Sequence, residues 1–380
     1  GHMTRTDSAQ VNRSTILRTN RQEEAGAVHS GPKSERVSPP SPDAIRVRRM
    51  RIRDVRWLAS RIDAMYLDQP LVETDRAGVF LTGARSLRPL DRTRPLTHLA
   101  FTGGDDFAGV IQFRQTALDP RWTAVAIGLI DGVAEPDRVV DALLEFSIKR
   151  AGSRGVKRLF ARIPRESEMG ERFRMAGFEP YMRETILQIT PQDGLYALSS
   201  RVRAQDAAET WAVHQLYHAC APKSVQFAEA WTSHRWDIGA NGKGPAGCSS
   251  FVIEEGNQLV AHARMVHGNN AAVIEAMYLP GDASAGIEIV QDVIRRARTQ
   301  HGAKRIFLTV RGHQSELLGG MNGPGCTIVG DQDLTVRYTA VKVAAKAVDV
   351  PKPVGIEVRE RAPKRVPTFM KRLRDKGATS

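Results

Sequence analysis

The chain has 380 residues, 41% of them hydrophobic and 26% charged, with a net charge of +13. That length exceeds what a single hydrophobic core usually serves and suits two domains. No apolar run reaches the roughly 18 residues of a spanning helix, and the positive charge permits an acidic partner such as nucleic acid or an acidic protein.

Residues 1–44 are rich in Ser, Thr, Pro, Arg and Glu, show no hydrophobic periodicity and end in "VSPPSPD", which predicts a disordered tail. The opening Gly1-His2-Met3 reads as a protease-cleavage scar, and the stretch that follows lacks the apolar core of a secretory signal, so a cytoplasmic location is expected. From Ile45, "IRVRRMRIRDVRWLASRIDAMY" predicts a short strand and then a helix capped by Asp54, with Val55, Leu58, Ile62 and Met65 at helical spacing. Arg46, Arg48 and Arg49 crowd this first strand and, with Arg51, Arg53 and Arg56, form a candidate contact surface for an acidic partner.

"LTHLAFT", "AGVIQFRQT" and "RWTAVAIGLI" read as three strands, followed by an amphipathic helix in "DRVVDALLEFSIKR" and a strand in "GVKRLFARI". Near Ser200 the order begins again. "SRVRAQDAAETWAVHQLYHAC" gives a strand, the capping Asp206 and a helix; "SSFVIEE", "QLVAHARMVH" and "AAVIEAMYL" give a meander with GN and GNN turns. The helix "GIEIVQDVIRRARTQ" and strand "GAKRIFLTV" then repeat "DRVVDALLEFSIKR" and "GVKRLFARI" at a constant offset of 147 residues. A repeat of that length is a duplicated domain. The expected organisation is a tail at 1–44, domains at 45–192 and 196–343, and a basic tail at 344–380 carrying Lys364, Arg365, Lys371 and Arg372 as further partner-binding candidates.

Cys220, Cys248 and Cys326 are widely spaced and contain no CxxC pair, which suggests neither a disulfide framework nor a zinc site. His214 and His218 lie four apart on one helix face near Cys220, but no fourth ligand follows, so they read as an ordinary polar face.

In element order, and most specifically in "RGVKRLFARIPRE" and "RFRMAGFEPYMRETILQI", the chain resembles the GNAT (acyl-CoA N-acyltransferase) superfamily. The resemblance implies an α/β fold with a mixed sheet, present as two tandem units over residues 45 to about 343. It also implies a CoA pyrophosphate cradle of the form Arg/Gln-x-x-Gly-x-Gly/Ala at a helix N-terminus, where backbone N–H groups face the phosphates. In the first copy the matching "IDGVAEPDRVVDALL" has Gly132 as its only glycine and adds Asp131, Glu135 and Asp137, so it is expected not to bind CoA. In the second copy "YLPGDASAGIEIVQ" offers Leu279, Gly281, Ser284, Ala285 and Gly286 as cofactor-binding candidates, without the family's arginine and with Asp282 added.

Where active relatives carry a tyrosine acid before a "GF" pair, the first copy has Phe173. In the second copy Glu275 occupies the strand on which relatives place a carboxylate that deprotonates an amine, and Tyr278 is the nearest hydroxyl; these two are the catalytic candidates. Three readings follow from the resemblance. In the first, degenerate motifs leave a scaffold or regulatory module that binds a protein or nucleic acid and uses no cofactor. In the second, the C-terminal domain is an acetyl-CoA-dependent N-acyltransferase. In the third, the chain resembles Fem-type aminoacyl-tRNA-dependent transferases. Acyl transfer needs cofactor binding, proton removal and leaving-group protonation together, and the partial candidates for each favour the first.

Overall fold

A computed structural model of the protein describes residues 45–59, 62–67, 95–103, 106–116, 119–190, 196, 198–238, 247–268, 271–323 and 325–339. The tails expected at 1–44 and 344–380, with Lys364, Arg365, Lys371 and Arg372, lie outside the described residues.

The first repeat begins with strand β1 (Arg46–Arg49), a 3-10 helix (Ile52–Ala59) and β2 (Ile62–Tyr66). It continues with β3 (Leu96–Thr102), β4 (Asp106–Thr116), β5 (Asp119–Ile130), α1 (Pro136–Gly152), β6 (Arg158–Pro164), α2 (Met169–Met175) and β7 (Glu179–Ile189). The second runs β8 (Arg203–Ala204), α3 (Thr210–Cys220), α4 (Lys223–Glu229), β9 (Cys248–Glu255), β10 (Gln258–His267) and β11 (Ala271–Tyr278). It closes with α5 (Ala283–His301), β12 (Arg305–Arg311), α6 (Ser315–Gly320) and β13 (Cys326–Tyr338).

The repeat is visible in the elements: α5 and β12 each begin 147 residues after α1 and β6. Local chemistry explains their ends. Pro136 opens α1, where its missing N–H costs nothing, and α5 stops at Gly302, whose φ of 62° suits glycine. The β9–β10 hairpin turns through Gly256 and Asn257, both at positive φ, as the GN dipeptide predicts. Asp206 and Glu209 form a reciprocal capping box ahead of α3.

The expected helix over 54–65 is corrected. Its first part is the 3-10 helix, within which the buried Asp54 takes both guanidinium N–H groups of Arg48; Ile62 and Met65 belong to β2, which pairs antiparallel with β5 from Ile62↔Ile130 to Tyr66↔Ala126. Spacing three apart mimics helix, and pairing with a buried strand overrides it.

All strands join one sheet, ordered β1-β3-β4-β5-β6-β13-β7-β12-β11-β10-β9-β8, with β2 added on β5. Among the described residues only β5–β6 and β11–β12 pair in parallel. The two last strands are exchanged between repeats. β13 of the second repeat lies between β6 and β7, and β7 of the first lies between β13 and β12.

One core packs α1 on β3–β6 through Val139, Val140, Leu143 and Leu144, and includes Phe173, whose ring meets Phe178 edge-on at 4.9 Å. A second packs α5 on β9–β12. On the opposite sheet face of the second repeat, α3 buries Val213, Leu216 and Tyr217 against Val252, Leu259 and Met277. No helix among the described residues is long and apolar enough to cross a membrane.

Candidate functional site

Strand alternation decides what faces α3. On β11, Glu275 and Met277 share that face; on β10, their register partners Arg264 and His262 do the same. Above them the stretch from Tyr217 to Trp236 folds over the sheet and leaves a cavity of about 40 Å³, room for a few waters or a small group. Its walls include Tyr217, Trp231, Trp236, His262, Arg264, Glu275, Arg311 and His313.

Because β7 pairs with β12, the first repeat contributes to the same site. Arg162 of β6 reaches Glu275 Oε1 at 3.3 Å and Glu184 of β7 at 3.4 Å, while Arg235 reaches Glu275 Oε2 at 3.3 Å. Glu229, 1% exposed, accepts from Tyr217 Oη at 2.8 Å, Tyr181 Oη at 3.3 Å and Arg311 at 2.9 Å. The guanidiniums of Arg235 and Arg311 lie 5.0 and 5.1 Å from the centre of the Trp231 ring.

Burial acts to raise the Glu275 carboxyl, but Arg235, Arg162 and Arg311 outweigh it and hold its pKa below the ordinary value. At Glu184 burial wins against Arg162 and Arg311, and the carboxyl is raised. Burial pushes His262 down to about 3 and His313 to about 4, so both imidazoles are neutral at pH 7. Burial likewise raises Tyr217 and, to about 12, the Cys220 thiol.

Tyr278 lies on the other face of β11. Its ring packs against Gly286, where a Cβ would stand 2.4 Å from it, so this glycine serves close helix–strand packing. The structure therefore does not bring Tyr278 beside Glu275. It borders an adjoining pocket with Pro280, Gly281, His313, Gln314 and Ser315, and the two pockets share Cys220, His313 and Gln314. Leu279 continues the strand by donating its N–H to Val260. Gly281 adopts φ 93° with open space around it, and Ser284, Ala285 and Gly286 lie in the first turn of α5.

The first repeat's loop differs. Glu135 pairs with Arg138, and Asp137 and Asp141 pair with Arg172. Past the parallel β5–β6 pairing, which ends at Ala124↔Ala161, the freed edge of β5 is taken by β2. Past Glu275↔Thr309 the matching edge of β11 holds no strand among the described residues; Gln314 Nε2 donates to Ala276 O there.

Arg46 and Arg48 share a face over the Phe101 ring, and the Arg48–Asp54 pair already uses one of these charges. Arg49 is set opposite His98 on β3. Among the described residues no group of three or more His, Cys, Asp or Glu side chains is placed to hold a metal ion, and His214 and His218 are tied into a chain of hydrogen bonds. Trp236 Nε1 donates to His214 Nδ1 at 3.3 Å, which leaves His214 Nε2 to donate to His218 and His218 Nδ1 to donate to Gln226.

Sequence reasoning found Glu275 but missed Glu229, Arg311, Arg162, Arg235 and His262. One signal was available: three of the chain's five tryptophans fall within residues 211–236, beside Tyr217 and Glu229.

No protein-family model matches the sequence, and no curated protein matches it. Solved structures do. A tandem GNAT protein from the clavulanic acid biosynthesis pathway is similar at TM-score 0.50 and 10% identity, over 78% of this chain and 99% of that one. A GCN5-related N-acetyltransferase from Sphaerobacter thermophilus gives 0.49 at 11% identity, over 80% and 97%. Another from Anabaena variabilis gives 0.43 at 10%, over 78% and 73%. The chain has the GNAT fold as two tandem units.

Proposed function

We propose that on this tandem GNAT fold the second repeat is an acetyl-CoA-dependent N-acyltransferase and the first is structural. The observation that carries the reading is the asymmetry of one edge. Beyond its parallel pairing, β5 is closed by the chain's own β2, whereas among the described residues β11 has no second strand beside it past Glu275, on the edge away from β10. An unpaired strand edge offers backbone groups to an extended, amide-bearing ligand.

The fit to acetyl-CoA rests on the loop that follows. The N–H groups of Ala283 and Ser284 have no backbone acceptor among the described residues, those of Ala285 and Gly286 turn back to Asp282 O, the helix dipole favours an anion there, and Gly281 leaves space. Asp282 opposes this charge and lowers the expected affinity without filling the cradle. Gly281 and Ser284 would hold the pyrophosphate; the Leu279 and Ala285 N–H groups are used by Val260 O and Asp282 O and shape the turn, and Gly286 supports it through Tyr278. When bound, the group supplies an activated acetyl thioester.

The chain's own residues then bind and orient the acceptor. Glu275 is ionised well below neutrality, so it is a weak base; its task is to accept hydrogen bonds from the acceptor amine and hold it in the cavity. The Arg162 and Arg235 contacts fix its position. The rings of Trp231, Trp236 and Tyr217 wall one side of the pocket and lower the polarity around these contacts, which strengthens them.

The test is release of free CoA thiol from acetyl-CoA in the presence of a panel of small amines. Glu275→Gln is expected to reduce the rate at least about 100-fold, consistent with loss of a positioned charged group, while Glu145→Gln on the far exposed face of α1 leaves it unchanged. Amine-dependent release that is indifferent to Glu275→Gln would contradict the assignment.

A second reading is a non-catalytic module for an acidic protein or nucleic acid. It is favoured by Phe173, a fully buried core residue where an acid would be needed, and by the closed β5 edge. It requires acetyl-CoA to produce no thiol release with any amine, and nucleic-acid binding whose log-log salt slope is about 0.9 per neutralised phosphate.

A further inference from the structure

We infer that the cavity of the second repeat selects an acceptor bearing a carboxylate next to its amine, an amino-acid-type zwitterion, with Arg264 and His262 as its carboxylate anchor. The inference rests on the acyl-transfer reading for the amine and on independent observations for the carboxylate.

Four guanidinium groups border the site, those of Arg162, Arg235, Arg264 and Arg311, against the three carboxyls of Glu184, Glu229 and Glu275. Three of the four are paired. Arg264 is not: among the described residues its one hydrogen bond is from Nε to Cys248 Sγ at 3.0 Å, and its buried Nη1 has no partner. The Arg264 side chain is half-buried, and a buried N–H group without an acceptor, as at its Nη1, is costly and favours an occupant.

Next to it on the same strand face, His262 is 2% exposed and its Nε2 also has no partner. Both residues line the cavity. A planar carboxylate can accept from the Arg264 guanidinium and, with the His262 hydrogen on Nε2, from the imidazole as well, since a guanidinium fork matches carboxylate geometry.

The spacing fixes the rest of the ligand. Arg264 and Glu275 are direct cross-strand partners, which sets their Cβ atoms about 5 Å apart, yet no ion pair joins them. Facing opposite charges that do not close on one another leave a slot with an anion site at one end and an amine site at the other. An α- or β-amino acid has that separation of charges, and a cavity of about 40 Å³ admits a small one.

The full chain is titrated calorimetrically with β-alanine, glycine, glycinamide, propylamine and inorganic phosphate, and separately with acetyl-CoA. Glycine or β-alanine is expected to bind at least about tenfold more tightly than glycinamide or propylamine, the loss that removal of a charge-assisted hydrogen bond produces. Arg264→Gln is expected to erase that preference and Arg264→Lys to keep part of it; should the first variant not fold, the comparison of ligands on the unaltered chain decides alone. Equal binding of glycine and glycinamide, or tighter binding of phosphate than of either amino acid, overturns the proposal. Amino-acid binding without acetyl-CoA binding upholds this site and overturns the acyl-transfer reading, whereas acetyl-CoA binding without a carboxylate preference does the reverse.

Discussion

At the scale of single residues, the histidines carry a measurable consequence. His98 and His262, 1% and 2% exposed, are pushed by burial from 6.5 to about 3, and His313 to about 4. Because each folded pKa is depressed, the unfolded chain binds the extra proton first. The stability that neutrality provides is complete above about pH 6.5 and is lost progressively as pH falls through the window from 6.5 toward 3. Denaturant titrations between pH 7 and 4.5 are expected to show a decline of up to about 1.4 kcal/mol per pH unit for each fully buried histidine. His98→Gln, which can keep the contact with Ser147, is expected to flatten that decline; an unchanged slope would show that His98 is not neutral in the fold. Glu275 was legible as a strand carboxylate in "VIEAMY". Its partners were not, because Arg162 is 113 residues away in sequence and meets it only through the pairing of β7 with β12. His262 and Arg264 read as ordinary strand polar residues in sequence, and only the fold shows that both line one cavity.

At the scale of elements, strand exchange governs behaviour. With β13 removed, β6 and β7 of the first repeat each lose an edge partner, and with the second repeat removed β7 also loses β12. Such edges aggregate or pair with another chain. A fragment of residues 45–192 is therefore expected to be insoluble or to dimerise, and co-production with residues 193–380 is expected to restore a soluble one-to-one complex, read by size-exclusion chromatography with light scattering. A soluble, monomeric, thermally cooperative 45–192 fragment would contradict the exchange. Strand existence and order were readable, since "LTHLAFT", "QLVAHARMVH" and the 147-residue offset gave them directly. The offset fixes order along the chain but not which edge each last strand pairs with. Ile62 and Met65 were misread for a related reason, because a three-residue spacing in a short segment cannot tell a helix turn from a strand on the free edge of β5.

At the scale of the whole molecule, duplication has produced two units of one fold with different fates. The first repeat fills its own edge with β2 and neutralises Glu135, Asp137 and Asp141 in ion pairs; in the second the matching edge carries no strand among the described residues, the proposed cradle lies at the start of α5, and the charged cavity adjoins Arg162, Tyr181 and Glu184 of its sibling. On this account the first repeat is needed because it completes the sheet and supplies two of the site's seven charged groups, Arg162 and Glu184. The net charge of +13 adds long-range attraction for an anionic ligand. Calorimetric titration of the full chain with acetyl-CoA tests the division of labour most directly. The account predicts one binding event per chain, weakened at least about tenfold by Ser284→Glu, which sets a negative charge at the start of α5, and unaffected by Asp131→Asn in the first repeat's loop. No binding heat, or one that survives Ser284→Glu, would contradict it.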